Sequence, residues 1–244
     1  MIMSMLEGWD AGAVWALTRR FVGEAMSSFI ANYPIMYHDH FSGYEPFVGA
    51  LIAGCAVYSS IFVCFPLSGA QINPMVTIAV VITRRMSIIY VPMYWIAQVF
   101  GALCALQLGR SLSPFVANRT ELGMAMPRPG VSDNQALVME IFITFTMLLA
   151  IVALLDELRI PNFHPSNRFN AFVLLVSVFL MIEIIGIFMV GPVTGMLLAV
   201  ILYEFIICPD ASLGRAKALL SPEPFDRSRA YSVFESNKVG VAPA

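Results

Sequence analysis

The chain of 244 residues is 59% hydrophobic and 12% charged, against about 45–50% apolar and about 25% charged for soluble domains, which excludes a soluble protein built on one large core. Fourteen Lys+Arg against sixteen Asp+Glu give a net charge of -2, far from the basic surface that phosphate backbones require, so nucleic acid is not an expected partner. Cys55, Cys64, Cys104 and Cys208 fall inside apolar runs at no metal-like spacing, read as free, buried thiols, and imply neither a metal nor a cofactor.

A transmembrane helix needs about 20 mostly apolar residues. Residues 1–18 read as a cytoplasmic segment before the first such stretch, 21–37. Arg19 and Arg20 abut that stretch and no small-residue cleavage site follows, so it is expected to be a retained helix rather than a signal peptide. It carries Glu24, and the second span, 47–66, carries Ala53. Ser68-Gly69-Ala70-Gln71-Ile72-Asn73-Pro74-Met75-Val76-Thr77 then opens an apolar run, 74–83, that ends at Arg84 and Arg85. Ten helical residues reach about 15 Å, half of a ~30 Å hydrocarbon core, which predicts a re-entrant half-helix. Asn73 suits its N-cap, and Pro74 its first turn, where a missing N–H costs nothing. The positive helix end would lie near mid-membrane, where with the Asn73 amide it can orient a polar solute and oppose cations and protons.

The third span covers 88–108, and the following loop, 110–134, holds the only glycosylation sequon, Asn118-Arg119-Thr120. The fourth span, 135–155, carries Glu140; the fifth and sixth cover 169–186 and 191–208. Glu183 in the fifth has no role legible in the sequence. Residues 209–244 combine Pro, Ser and charge without periodicity and read as a flexible cytoplasmic tail. Six spans place both termini on one side. Eleven of the fourteen Lys and Arg lie on that side and only Arg110, Arg119 and Arg128 face away, so the termini are expected in the cytoplasm and the Asn118 loop outside. His38, His40 and His164 lie in loops or near span ends with no nucleophile or carboxylate array beside them, and no enzyme is expected.

Compared with itself, the chain is duplicated. Phe21-Val22-Gly23-Glu24-Ala25-Met26-Ser27-Ser28-Phe29 aligns with Leu137-Val138-Met139-Glu140-Ile141-Phe142-Ile143-Thr144-Phe145 at a shift of 116, and Gly101-Ala102-Leu103-Cys104-Ala105-Leu106 with Gly195-Met196-Leu197-Leu198-Ala199-Val200. Both latter segments show the small-xxx-small face of closely packed helices. Glu24 to Gly101 is 77 residues but Glu140 to Gly195 only 55, so the second half is 22 residues short. The shortfall falls where a second Asn-Pro would stand: position 73 maps onto Met189-Val190, and the chain runs from the fifth span directly into Gly191-Pro192.

The segment Ser68–Thr77 resembles the Ser-Gly-Ala-His-x-Asn-Pro-Ala-Val-Thr signature of the aquaporin, or major intrinsic protein, family, with Gln71 and Met75 as departures. Tyr94-Trp95-Ile96-Ala97-Gln98-Val99-Phe100-Gly101-Ala102 is similar to the family's third helix, and Val190-Gly191-Pro192 with Leu202-Tyr203-Glu204-Phe205 to its sixth. The resemblance covers nearly 19–209. It implies an all-α membrane protein, an aquaporin-like bundle of six helices over 19–208, with inverted repeats of about 19–110 and 134–208. In the family two half-helices meet at paired Asn-Pro-Ala motifs, and each protomer of a homotetramer holds its own pore for water or small neutral solutes such as glycerol. Carried over, Asn73, Pro74 and Met75 form the first pore motif, while Ala53, Gln71 and Val76 are pore-lining or selectivity positions. Ala53 stands at a filter position that is often aromatic in water-selective members, so a small residue there would widen the passage. Glu24 and Glu140 match buried carboxylates that accept hydrogen bonds from the half-helix loops, a role that hydrocarbon burial demands in any case.

The second motif and the filter arginine have no counterpart, since no Arg occurs between Arg168 and Arg215. The expectation is a multi-pass protein of the plasma membrane lacking the second half-helix and impaired as a channel. The competing expectation is a non-conducting form that joins full-length relatives in hetero-oligomers and regulates them.

Overall fold

A computed structural model describes residues 11–34, 46–112, 130–156 and 190–208. The fifth span, Glu183, the sequon at Asn118, the three histidines, residues 1–10 and the tail 209–244 lie outside the described residues, while 11–18 of the expected N-terminal segment belong to the first helix. What is described is all helical: α1 (Ala11–Asn32), α2 (Pro46–Ser68), the short α3 (Pro74–Ile82), a single 3-10 turn (Ile88–Tyr90) leading into α4 (Val91–Leu112), α5 (Asp133–Leu154), and α6 (Val190–Leu202) continued by a π-helical turn (Tyr203–Ile207).

The helix ends follow local chemistry. The first helix begins ten residues before the predicted span and stops at Asn32, five residues before the span's predicted end. Arginine is a good helix former, so Arg19 and Arg20 extend the helix beyond the apolar run that hydropathy detects. Its end is set by Pro34, which disfavours helical backbone in the residue before it, and the Asn32 amide folds back to donate to Ser28 O at 2.7 Å. At the start of α5 a capping box operates: Ser132 Oγ accepts from Gln135 N, and the Gln135 side chain accepts from Ser132 N at 2.9 Å. That box and Asp133 in the first turn start the helix two residues before the expected position.

Two helix pairs are built on the same contact. α1 packs on α2 and α4, and α5 on α6. Gly101 of α4 lies against Ala25 O and Phe29 N of α1; Gly195 of α6 lies against Ile141 O and Phe145 N of α5. Ala25 and Ile141, like Phe29 and Phe145, stand 116 residues apart. Only glycine permits so close an approach, because a Cβ at either site would overlap a carbonyl oxygen of the facing helix. Between the pairs, α3 contacts α4, α5 and α6. Its Val76, Ala79 and Val80 join Leu148, Val152, Met196, Ala199, Val200 and Tyr203 in one apolar core.

α2, α5, the 3-10 turn with α4, and α6 with its π turn are each long and apolar enough to cross a membrane. Outward-facing side chains such as Phe62, Phe100 and Phe142 are more than half exposed, as expected for a surface solvated by lipid rather than water. The same reasoning corrects one expectation: Cys64 and Cys208 are buried free thiols, but Cys55 and Cys104 are exposed. In a membrane helix an apolar run does not mark the interior, since both the core and the lipid face are apolar.

The half-helix and its carboxylate anchor

The Asn-Pro segment owes its shape to an unusual run of backbone. Gly69 closes α2 in the left-handed region (φ 86°), its N–H donating to Phe65 O at 2.9 Å. Ala70 (φ 42°) and Ile72 (φ 61°) are also left-handed without being glycine. Ile72 is the centre of a γ-turn in which Asn73 N donates to Gln71 O at 2.6 Å. Such conformations persist only where the surroundings over-determine them.

Glu24 supplies that constraint. The residue is fully buried on α1, and its carboxylate accepts four hydrogen bonds. Oε2 takes Ser68 Oγ at 3.0 Å and Gln71 N at 3.1 Å; Oε1 takes Gln98 Nε2 at 2.8 Å and Ile72 N. The turn cannot satisfy these N–H groups itself, and hydrocarbon cannot either, so the Glu24 side chain supplies the acceptors they need. The ring extends further: Gln98 Nε2 also reaches Thr77 Oγ1 at 3.0 Å, Tyr94 OH donates to Ser68 O at 2.6 Å, and Ser28 Oγ donates to Gln98 O at 3.0 Å.

With the loop fixed, α3 starts as its sequence requires. Asn73 is the N-cap in extended backbone and its Oδ1 accepts from Met75 N at 2.8 Å. Pro74 occupies the first position, where its missing N–H leaves nothing unsatisfied. The nine-residue helix, rather than the expected ten, ends at Ile82 because Thr83 caps it. Its C-terminus is closed by a left-handed Arg84 (φ 57°), with Arg84 N donating to Val81 O and Arg85 N to Val80 O, both at 2.9 Å. Glycine normally fills that position, since a side chain there costs about 1 kcal/mol. Arg84→Gly is therefore expected to raise the thermal unfolding midpoint of detergent-solubilised protein, and an unchanged or lower midpoint would show that the Arg84 side chain contributes more than its strain.

The major intrinsic protein family matches residues 15–187. The chain belongs to that family. Among its relatives, the chain is 31% identical over 186 residues to "Aquaporin NIP3-1" of Oryza sativa subsp. japonica, covering 74% of this chain and 55% of that protein. It is 31% identical over 172 residues to "Aquaporin FA-CHIP" of Pelophylax lessonae, covering 60% of this chain and 61% of the relative. It is 30% identical over 206 residues to "Aquaporin-4" of Bos taurus, at 73% and 62%. The chain thus spans 55–62% of the length of these relatives. Its fold is that of the aquaglyceroporin from Plasmodium falciparum, with a TM-score of 0.63, 22% identity, and coverage of 79% of this chain and 98% of that one. Family membership and the apolar helices make it an integral membrane protein with an aquaporin-like helical bundle.

Within this family member the expected site residues are distributed as follows. Asn73, Pro74 and Met75 open α3. Gln71, buried, donates through Nε2 to Met86 Sδ at 3.6 Å. Ala53 is buried in α2, and Val76 lies in the apolar core. Glu140 is buried on α5, where Gly191 of α6 approaches so closely that a Cβ there would sit 2.6 Å from Glu140 Cβ. Gln98, Thr77, Ser68 and Tyr94 join Glu24 in this ring without any of them being expected there from the sequence. Gln98 was detectable as an amide in an otherwise apolar stretch of α4. The contact of Tyr94 with a main-chain carbonyl leaves no trace in sequence.

Proposed function

We propose that this family member provides passive passage for water and small neutral solutes such as glycerol, impaired by the absence of a second half-helix. The supporting observation is the N-terminus of α3, capped by Asn73 and fixed by Glu24. With Oδ1 turned onto the first helical turn, the donor end of the Asn73 amide is the part available to a solute oxygen, and the helix dipole favours oxygen over cations or protons. Asn73, Pro74 and Met75 form the pore motif, with Ala53, Gln71 and Val76 along the passage, the small Ala53 leaving it wide. Glu140 is the buried structural carboxylate of the second half, and a missing half-helix removes the loop donors that Glu24 has in the first.

The chain contains a single Asn-Pro pair and no arginine between Arg168 and Arg215, which supports a missing half-helix. One of two opposed helix ends would then be lost, each worth about 1 kcal/mol or more, lowering the flux per protomer roughly fivefold or further. The reading places the protein in the plasma membrane as a homotetramer or a hetero-oligomer with related channels. Both termini are cytoplasmic, the transmembrane domain of two inverted repeats covers 19–208, and glycosylated Asn118 lies outside. Transport, rather than catalysis, is its activity.

Osmotic shrinkage of proteoliposomes with a counted number of protomers tests this. Water flux above that of empty vesicles, below that of a full-length relative and abolished by Asn73→Ala, is the expected result. Flux equal to that of the full-length relative, or unaffected by Asn73→Ala, contradicts it. The same absence of a second Asn-Pro pair supports a second reading, a non-conducting subunit that associates with and regulates full-length relatives. Folded protein with no flux, co-purifying with a full-length relative, would favour that reading.

A further inference from the structure

Two unusual backbone conformations converge on one buried ion pair. The first is the left-handed Arg84 that ends α3 and turns the chain so that the next residue, Arg85, points inward with its side chain 9% exposed. The second ends α6. Tyr203–Ile207 is a π-helical turn, in which Cys208 N donates to Tyr203 O at 2.9 Å, and the consecutive Tyr203 and Glu204 are both buried. Single π turns tend to mark places where a helix re-aims side chains. Here Glu204, 1% exposed, meets Arg85: Nη1 donates to Oε1 at 3.4 Å. Beside it Tyr203 OH donates to Asp156 Oδ2 at 2.7 Å, and Asp156 follows Leu155, the C-cap of α5. Polar contacts thus tie the C-terminal ends of α3 and α5 to α6.

Two nearby carboxylates and a guanidinium inside a helical bundle are expensive to desolvate, and apolar residues could join three helix ends without that cost. What an ion pair supplies, and apolar contacts do not, is a fixed register. The core contacts of α3 are made by Val76, Ala79 and Val80 against other apolar side chains. Such contacts tolerate small axial slips of a nine-residue helix. Glu24 holds the loop before α3 from the first half of the chain; Glu204 holds its far end from the second.

We propose that Glu204 is a positioning residue which, through Arg85, fixes the depth and rotation of α3 and so places its Asn73 end. The inference rests on the reading of α3 as the passage half-helix, but its test does not need flux. The full chain carrying Met75→Cys as a reporter is placed in lipid vesicles and treated with a water-soluble thiol reagent, and modification of each cysteine is followed by peptide mass spectrometry. The buried Cys64 of α2 reports general opening in the same sample.

Glu204→Gln is expected to change the labelling rate at position 75 about fivefold, as for loss of a modest ion pair, with Cys64 unchanged. The charge swap Arg85→Glu with Glu204→Arg is expected to return it to within about twofold of the parent. If Glu204→Gln does not fold, Arg85→Gln with Glu204→Gln, which leaves neither charge of the pair, is read the same way. Unchanged labelling at position 75, a parallel rise at Cys64, or no recovery in the swap overturns the proposal. Absence of flux from the unsubstituted chain in the same vesicles, together with this labelling pattern in the reporter protein, refutes the channel reading and leaves the positioning role standing.

Discussion

Glu24→Ala is expected to leave little folded protein and to lower the stability of what remains. The substitution leaves four donors, Ser68 Oγ, Gln71 N, Ile72 N and Gln98 Nε2, without their acceptor in a site fully closed to water. Each buried donor left unmade costs about 1–3 kcal/mol, and whole domains are stable by about 5–15 kcal/mol. The left-handed backbone at Ala70 and Ile72 also loses the group that holds it. Glu24→Gln is the informative milder variant. It keeps the shape, but its single carbonyl oxygen cannot replace two carboxylate oxygens, and its NH2 faces donors instead of acceptors. Size-exclusion profiles and thermal midpoints in mild detergent are expected to rank parent, Gln and Ala in that order. A monodisperse Glu24→Ala protein with a parental midpoint would show that the loop before α3 is not held by this carboxylate.

The second large effect comes from a single methyl group. Gly101→Ala places a Cβ into Ala25 O and 3.0 Å from Phe29 N, and Gly195→Ala places one into Ile141 O and 2.8 Å from Phe145 N. Backbone on both sides leaves no flexible side chain to give way, so the helices must separate. Either substitution is expected to cost about 3 kcal/mol, the upper part of the range for overpacked interiors. Because the two glycines make equivalent contacts, their thermal shifts should be equal within error. Gly130→Ala is the control: Gly130 also has positive φ (94°), but nothing lies within 4 Å of the new Cβ, so only local strain of about 1 kcal/mol is added. If Gly101→Ala were no worse than Gly130→Ala, the close crossing of α1 and α4 would be refuted.

The close-packing faces at Gly101 and Gly195 are legible as matched small-residue segments, because close helix packing requires small residues and duplication repeats them, but the facing helices, α1 and α5, are not. The start of α3 was legible because Asn before Pro has a local reason to begin a helix. The end of α1 was misplaced because hydropathy detects where a segment is apolar rather than where hydrogen bonding stops. The exposure of Cys55 and Cys104 was misjudged because a membrane protein presents apolar residues on both faces.

By itself the sequence determined the membrane class, the helical half-span after Asn73, the duplicated helix pairs and the need for partners at Glu24, since each depends on composition, local capping or an unavoidable desolvation penalty. Only the tertiary structure decided which partners those are. Gln98 lies 74 residues from Glu24, and Glu204 lies 119 residues from Arg85. Contacts at such separations are fixed by how helices pack, by a left-handed turn at Arg84 and by a π turn at Tyr203, and no local pattern of residues specifies them.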